Sequence, residues 1–316
     1  MRKKGNNPFF YSDSNKRYHT DDYFLRNKFG KKVFKVTLDA GFTCPNIDGS
    51  KGVGGCTYCS SRGSGDFAAS PLLSIRQQYD EVRQIMSEKW SDALCIPYFQ
   101  AHTNTYAPVD VLREKYYEAL ALPDAVGMSI ATRADCLSDS VVELLREIDK
   151  KTYLTIELGL QTVHDKTAER INRCHSYAEF LEGYERLSGL NICVHIINGL
   201  PGEDREMMLE TARSVGELKP HALKIHLLHV IEGTVMARQY KAGDFDALTL
   251  EEYVSTVCDQ LELIPAETVI GRITGDGAPE SLIAPLWSRK KLVVMNEIDK
   301  TLVRRNSYQG KYAEQK

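Results

Sequence analysis

Residues 44–59 read CPNIDGSKGVGGCTYC. Three thiols, Cys44, Cys56 and Cys59, share this run with Gly49, Gly52, Gly54 and Gly55. Cys56 and Cys59 form a C-x-x-C pair, a spacing that lets two sulfurs converge on one metal centre. The glycines let the intervening loop fold back so that Cys44 joins them. Four chemistries compete for these residues. A structural zinc site wants four ligands, usually as two matched pairs, but there is no second C-x-x-C, and His102 is the nearest fourth candidate. A thioredoxin-like redox pair would open a helix, whereas here a strand-like run, VFKVTLD, comes first. Inert free thiols are a poor account of three cysteines in one glycine-rich loop. An iron–sulfur cluster held by three thiolates leaves one iron open. An incomplete ligand shell keeps a position for a substrate or cofactor, and on this reading the absent fourth thiol is the functional feature.

Such a loop needs a scaffold that brings strand ends together. Strand-like runs recur at Val33–Asp39, Leu94–Phe99, Val126–Ala131, Tyr153–Leu158, Ile192–Ile197 and Leu223–Leu228. Several are nearly continuous apolar runs, as expected for strands buried on both faces. Helical stripes lie between them. Ile75, Tyr79, Val82, Ile85, Met86 and Trp90 recur at spacings of three and four, and Met208, Thr211, Ala212, Val215 and Leu218 form another stripe. Ser140 with Glu143, and Thr249 with Glu252, match the capping-box pattern. Strand–helix repetition at roughly 30 to 40 residues predicts successive βαβ units and a parallel sheet. Six units predict an α/β fold, an open partial (β/α)6 barrel with a C-terminal extension. The expected divisions are a basic segment over 1–32, the barrel over 33–240 and the extension over 241–316. Within the extension, residues 269–279 read as a short strand and a glycine-rich loop, 285–303 as a terminal helix and 306–316 as a frayed end. Chemistry in a parallel barrel sits at the C-terminal ends of the strands, and Cys44 follows the first one.

Composition sets the outer bounds. The 316 residues are 42% hydrophobic and 26% charged, ordinary for a globular chain. No apolar run approaches the length of a bilayer span. The N-terminus carries basic residues without an apolar h-region, so the expected location is cytoplasmic, with no membrane partner. There the eight cysteines are not a disulfide framework. Cys95 and Cys193 lie in apolar runs and read as small core residues. The net charge of −3 hides an asymmetry. Residues 1–35 carry ten Lys and Arg against three Asp, and residues 288–316 carry eight against three acids. The basic ends are either solvated termini or a face that contacts phosphates.

The ordered set TCPNIDGSKGVGGCTYCS, YFQAHTNTYAP, ATRADCL, ELGLQT, INRCHS, GLPGE, KIHLLHVIEGT and GDGAP resembles the radical S-adenosylmethionine (SAM) superfamily. Its eleven residues between the first two cysteines, longer than the usual spacing, resemble the YhcC/YtqA family, relatives of the catalytic subunit of Elongator. The resemblance implies a partial radical SAM barrel, one 4Fe–4S cluster on Cys44, Cys56 and Cys59, and SAM on the open iron. It implies reductive cleavage of SAM to a 5′-deoxyadenosyl radical that abstracts hydrogen from a substrate.

The same resemblance distributes roles. Tyr58 is expected near the adenine, although an aromatic anchoring its loop in the core is the plainer reading. Gln100, Thr103 and Asn104 occupy the motif that receives the methionyl amino group, and His102 reads as a loop histidine. Glu157 is a SAM contact or half of a buried ion pair, since a carboxylate in an apolar strand needs a partner. Gln161 matches the ribose contact. Arg173 matches the arginine that pairs with the SAM carboxylate, a task suited to a guanidinium fork. Its alternative is a surface arginine, with Arg170 as the mimic. NGLPGE is a glycine turn into a helix whose first N–H groups can face an electron-rich ligand. HVIEGT resembles a backbone shelf for adenine. Two positions depart from the pattern. Ala131, followed by Thr132 and Arg133, stands where many relatives have an acid, and His195 replaces an acidic SAM contact. Asp276 in GDGAP is a substrate-side candidate or part of a simple turn.

Within that family the chain looks most like the YtqA-type proteins, also called MnmL, implicated in modifying the wobble uridine of tRNA. The implied reaction converts 5-carboxymethylaminomethyl-(2-thio)uridine to 5-aminomethyl-(2-thio)uridine. The implied partners are tRNA, a reduced flavodoxin or ferredoxin-type electron donor and a methylase acting next. No acetyltransferase domain follows the barrel, so the full Elongator reaction does not carry over. The competing readings are a radical SAM enzyme acting on a small metabolite or peptide, and a non-catalytic iron–sulfur redox module.

Overall fold

The computed structural model describes residues 7–63, 69–275, 277 and 280–313. The strands are β1 (Val33–Leu38), β2 (Leu94–Phe99), β3 (Gly127–Thr132), β4 (Tyr153–Gln161), β5 (Asn191–Asn198), β6 (Ala222–Leu227), β7 (Val230–Ile231), β8 (Val269–Arg272) and β9 (Leu282–Ala284). The helices are α1 (Asp21–Phe29), α2 (Ile75–Ser87), α3 (Val109–Leu120), α4 (Asp139–Asp149), α5 (Asp165–Arg170), α6 (Tyr177–Arg186), α7 (Arg205–Leu218), α8 (Val235–Ala242), α9 (Leu250–Leu263) and α10 (Lys291–Arg304). One sheet runs β1-β2-β3-β4-β5-β6-β8, and β7 pairs with β9 in a second, two-stranded one. Strands adjacent in sequence lie adjacent in the large sheet with helices between, which is the partial-barrel α/β fold. Six strands were expected and seven are present, because the short strand of the extension continues the sheet beside β6. No helix among the described residues is long and apolar enough to cross a membrane.

Two compact units divide the chain. The first comprises Leu25–Leu160 and Asn172–Cys193. Its strands are apolar because both faces are covered; in β2, LCIPYF, five of six residues are buried. Two strands separate β1 from β4 in the sheet order. Even so, Lys35 Nζ of β1 lies 2.5 Å from Glu157 Oε1 of β4. The sheet therefore curls enough for side chains of its first and fourth strands to meet. In α2 a capping box on Ser74 and Gln77 starts the helix, and Ile75, Gln78 and Tyr79 are buried. Ile85 is exposed and Trp90 lies beyond the helix end, so the expected stripe holds only in its first turns. The cap of α4 also differs from the expectation. Ser138, not Ser140, accepts from Val141 N, and the helix starts at Asp139. That start places Val141, Leu144, Leu145 and Ile148 in the core.

The second unit holds residues up to Phe24, Gln161–Ile171, and the chain from Val194 onward. The expected box on Thr249 and Glu252 caps α9. Of the expected helix over 285–303, Leu286–Arg289 form a 3-10 turn and the rest, from Lys291, is α10, which runs to Arg304; β9 precedes it. The end read as frayed is docked as far as it is described. Gln309 is fully buried. Its side chain accepts from His19 N at 2.8 Å and donates to Pro265 O at 2.6 Å and Thr268 O at 2.9 Å. Residues 19 and 20 run beside β8, with a Thr20–Ile270 parallel bridge and Ile270 N bonded to His19 O at 2.7 Å. They cover backbone groups that an edge strand would otherwise leave open. In the GDGAP stretch, Asp276, Ala278 and Pro279 lie outside the described residues.

Candidate functional site

The chain leaves β1 at Leu38 and enters the cysteine loop. The eleven residues between Cys44 and Cys56 fold as a miniature hairpin, bridged at Asp48–Val53 and tied by Lys51 N and Gly52 N to Pro45 O at 2.8 and 3.2 Å. Gly54 and Gly55 turn it through φ of +80° and +70°, a region glycine enters without steric cost. Cys44, Cys56 and Cys59 are all free and half-buried. Cys59 N bonds Cys56 O at 3.1 Å, which folds the C-x-x-C pair back on itself. A hydrogen bond from Cys59 pulls the Cys56 thiol down to about 6, against burial, with further help from the Arg133 charge and the Asn46 amide. Asn46 Nδ2 stands 3.2 Å from Cys56 Sγ. Burial pushes the Cys44 thiol up, and a bond with Thr103 Oγ1 at 3.0 Å opposes it. Three thiols with a stabilised thiolate at their centre are a donor set that fits a cationic iron cluster.

A ring of bonds holds this loop. Lys51 Nζ lies 2.8 Å from Asp135 Oδ2. Asp135 takes a two-pronged grip from Arg133, with Nε and Nη2 each at 2.9 Å. Burial pushes the Asp135 carboxyl up, but the Arg133 fork and Lys51 outweigh it and hold the group well below the usual carboxylate range. Arg133 Nη1 reaches Arg173 O at 2.7 Å. From the neighbouring residue, Asn172 Nδ2 returns to the loop at Val53 O (3.0 Å) and Gly55 O (2.7 Å). Gly52 closes the packing, since a Cβ there would stand 2.7 Å from Cys174 Sγ. A cavity of about 1000 Å³ lies against the loop, lined by Pro45, Lys51, Tyr106, Asp135, Cys136 and Glu179 among others; none of the expected SAM contacts lines it.

The expected contacts separate into groups. Tyr58 is half-buried. Burial, then the nearby Cys56 and Cys59 sulfurs, push its phenol well above its ordinary value. Thr103 touches Cys44 and is buried. Asn104 is fully buried and donates to Phe99 O and Ala131 O at 3.1 and 2.9 Å. Its amide thus braces the turn after β2, where Gln100 N bonds Leu38 O at 3.1 Å. Glu157 is in the ion pair with Lys35, the alternative its strand context raised. Arg173 is no surface arginine. It is 1% exposed, with Nε on His175 O at 2.9 Å and Nη1 on Leu160 O, while Arg170 is the exposed one. Beside Arg173, His175 is pulled down to about 3 by burial and by the Arg173 and Arg133 charges. It stays neutral.

Gln161, at the end of β4, has φ of +63°, uncommon for a non-glycine residue and frequent at functional sites. His195 stands 5.0 Å from His226, ring centre to ring centre. After NGLPGE the helix start is already occupied: Asp204 caps α7 by accepting from Met207 N at 2.9 Å. In HVIEGT, Val230 and Ile231 form β7 and Thr234 caps α8. Sequence reasoning passed over Asn46, Lys51, Asp135 and Asn172. The available signals were the Arg133-x-Asp135 pair in ATRAD and an asparagine, Asn172, in the left-handed region at φ of +54°.

Comparison with known proteins gives two adjoining family matches, the radical SAM superfamily over residues 50–215 and the radical SAM C-terminal domain over 220–304. The uncharacterized protein YtqA of Bacillus subtilis is 54% identical over 309 residues, covering 97% of this chain and 96% of that one. A tRNA uridine(34) acetyltransferase of Methanocaldococcus jannaschii is 27% identical over 156 residues, 48% of this chain and 28% of that enzyme. Among solved structures, archaeal Elp3 of Methanocaldococcus infernus superposes with a TM-score of 0.66 at 17% identity, covering 88% of this chain and 64% of the longer one. That likeness shows the partial-barrel fold. With the cysteine loop, the matched family and the fold in agreement, the chain belongs to the radical SAM superfamily, as an enzyme whose cofactors are a 4Fe–4S cluster and S-adenosylmethionine.

Proposed function

We propose that the protein modifies the wobble uridine of tRNA, converting 5-carboxymethylaminomethyl-(2-thio)uridine to 5-aminomethyl-(2-thio)uridine. The observation that carries this reading is the match, over about half the chain, to an enzyme named for uridine 34 of tRNA. Exposed basic side chains near the C-terminus, including Lys290, Lys300 and Arg304, support a phosphate-bearing partner. A wobble base can be splayed into a pocket at low cost because it is unpaired in the free tRNA.

Bound together, the cluster and SAM supply a 5′-deoxyadenosyl radical. Cys44, Cys56 and Cys59 hold the cluster. Gln161 and Arg173 are assigned to SAM, with Tyr58, Gln100, Thr103, Asn104, Glu157 and His195 lining or bracing its place. Hydrogen is taken from the glycine-derived methylene of the base. Loss of a second electron to the electron-transfer partner and of the amine proton to water gives an imine, and hydrolysis by water releases the aminomethyl group and glyoxylate. A methylase then takes the product.

The test is anaerobic. Reconstituted protein is given SAM, a reductant and tRNA bearing the carboxymethylaminomethyl group. We expect 5-aminomethyl-uridine and 5′-deoxyadenosine together, and neither with Cys56→Ala. If 5′-deoxyadenosine forms and the tRNA is unchanged, the substrate is a small metabolite or a peptide. If SAM is not cleaved under any of these conditions, the protein is a redox module.

A further inference from the structure

We propose that Asn46 raises the reduction potential of the cluster through its hydrogen bond to Cys56, and that Asn172 holds it in position to do so. This inference depends on the cluster and not on the tRNA substrate. Asn46 is 2% exposed, so water does not compete for its amide. That amide has two N–H donors on one nitrogen, and Nδ2 has two acceptors, Cys56 Sγ at 3.2 Å and Asn172 O at 3.1 Å. With one N–H fixed on a carbonyl, the plane of the amide directs the other onto sulfur. The far side is fixed as well. Gly55 N bonds Asn46 O at 2.8 Å, and the Asn172 side chain grips Val53 O and Gly55 O. Two asparagines 126 positions apart thus stitch the cysteine loop to the INRCHS turn in both directions.

A donor on a ligating sulfur withdraws electron density from the iron and favours the more negative, reduced cluster. Asn46 is therefore a positioning residue that acts through Cys56.

The experiment is a redox titration of the reconstituted full-length protein without SAM, followed by EPR. Near the midpoint we expect Asn46→Ala to hold about tenfold less reduced cluster relative to oxidised than the unaltered protein, equivalent to about 59 mV for one electron. Asn172→Gly keeps the left-handed backbone and the carbonyl but loses the side-chain grip. It should shift the midpoint in the same direction by less. An Asn46→Ala midpoint equal to that of the unaltered protein, with a full cluster, overturns the proposal. Should that variant fail to load its cluster, pulsed EPR on unaltered protein grown with 15N-asparagine decides. A 15N coupling to the reduced cluster supports the bond, and its absence overturns it.

Discussion

The Arg133–Asp135 pair shows how much of this site rests on side chains that are not ligands. Arg133 is 9% exposed and directs its fork at Asp135 and at the carbonyl before Cys174. Breaking a buried pair of this kind costs about 3–5 kcal/mol. Lysine carries the charge but not the fork. We therefore expect Arg133→Lys to lower the melting temperature and to lose iron to a chelator faster than the unaltered protein. Equal stability and equal iron retention would show that charge alone is enough. The three cysteines were legible from type and spacing, because thiols in a glycine-rich loop have few other uses. Asn46, Asp135 and Asn172 were not. Their work lies in bonds between segments that no local pattern connects. Arg173 was legible only through the family motif, since its burial depends on carbonyls at Leu160 and His175.

At the level of elements, close approach and titration make separate predictions. Helix α6 passes so near the turn after β3 that a Cβ on Gly183 would stand 2.3 Å from Ala134 O. Gly183→Ala must push the helix off that backbone and should cost about 1–3 kcal/mol, read as a lower denaturation midpoint. No loss would mean that the two backbones separate freely. In the other unit, His19 stacks on Tyr11 at 4.7 Å and its Nδ1 lies 3.1 Å from Glu267 O. Burial lowers its pKa below the ordinary 6.5. The folded state therefore binds fewer protons than the unfolded state in that window. Its contribution to stability is full above pH 6.5 and is lost as pH falls through the folded value. Between pH 8 and pH 5.5, His19→Phe should flatten the fall in melting temperature; an unchanged slope would remove His19 from the pH response. The strands were readable because both of their faces are covered. The cap of α4 was misread because Ser138 and Ser140 both suit the pattern, and the core-facing stripe beginning at Val141 decides between them. The docked C-terminus was missed because Gln309 looks like surface in a sequence, and three backbone groups from distant segments satisfy its amide in the core.

For the whole molecule the question is where the charge goes. Part of the basic excess at the two ends is engaged internally: Lys16 pairs with Asp299 and Arg305 with Asp259, while the buried Arg17 donates to Ser307 O. Lys300 and Arg304 share Glu297 in exposed pairs that a phosphate can displace, and with the exposed Lys290 they are the side chains offered to phosphates. Replacing these three by alanine should weaken tRNA binding about equally across sequences. It should also reduce the salt slope by about one for each phosphate that a removed side chain had neutralised, leaving SAM cleavage without tRNA unchanged. An unaltered slope would move the RNA surface elsewhere.

The bond between Arg17 O and Gln309 N also sets an order of events during synthesis. Residues made early find their partners among residues made much later. Until the C-terminal stretch leaves the ribosome, the segment around His19 lacks the Gln309 side chain that receives it, and its hold on the edge of β8 is incomplete. Pairings this distant in sequence carry a large loop-closure cost and form late. A nascent chain stalled short of residue 309 would present an unfinished strand edge, the kind of surface that recruits chaperones or other stalled chains.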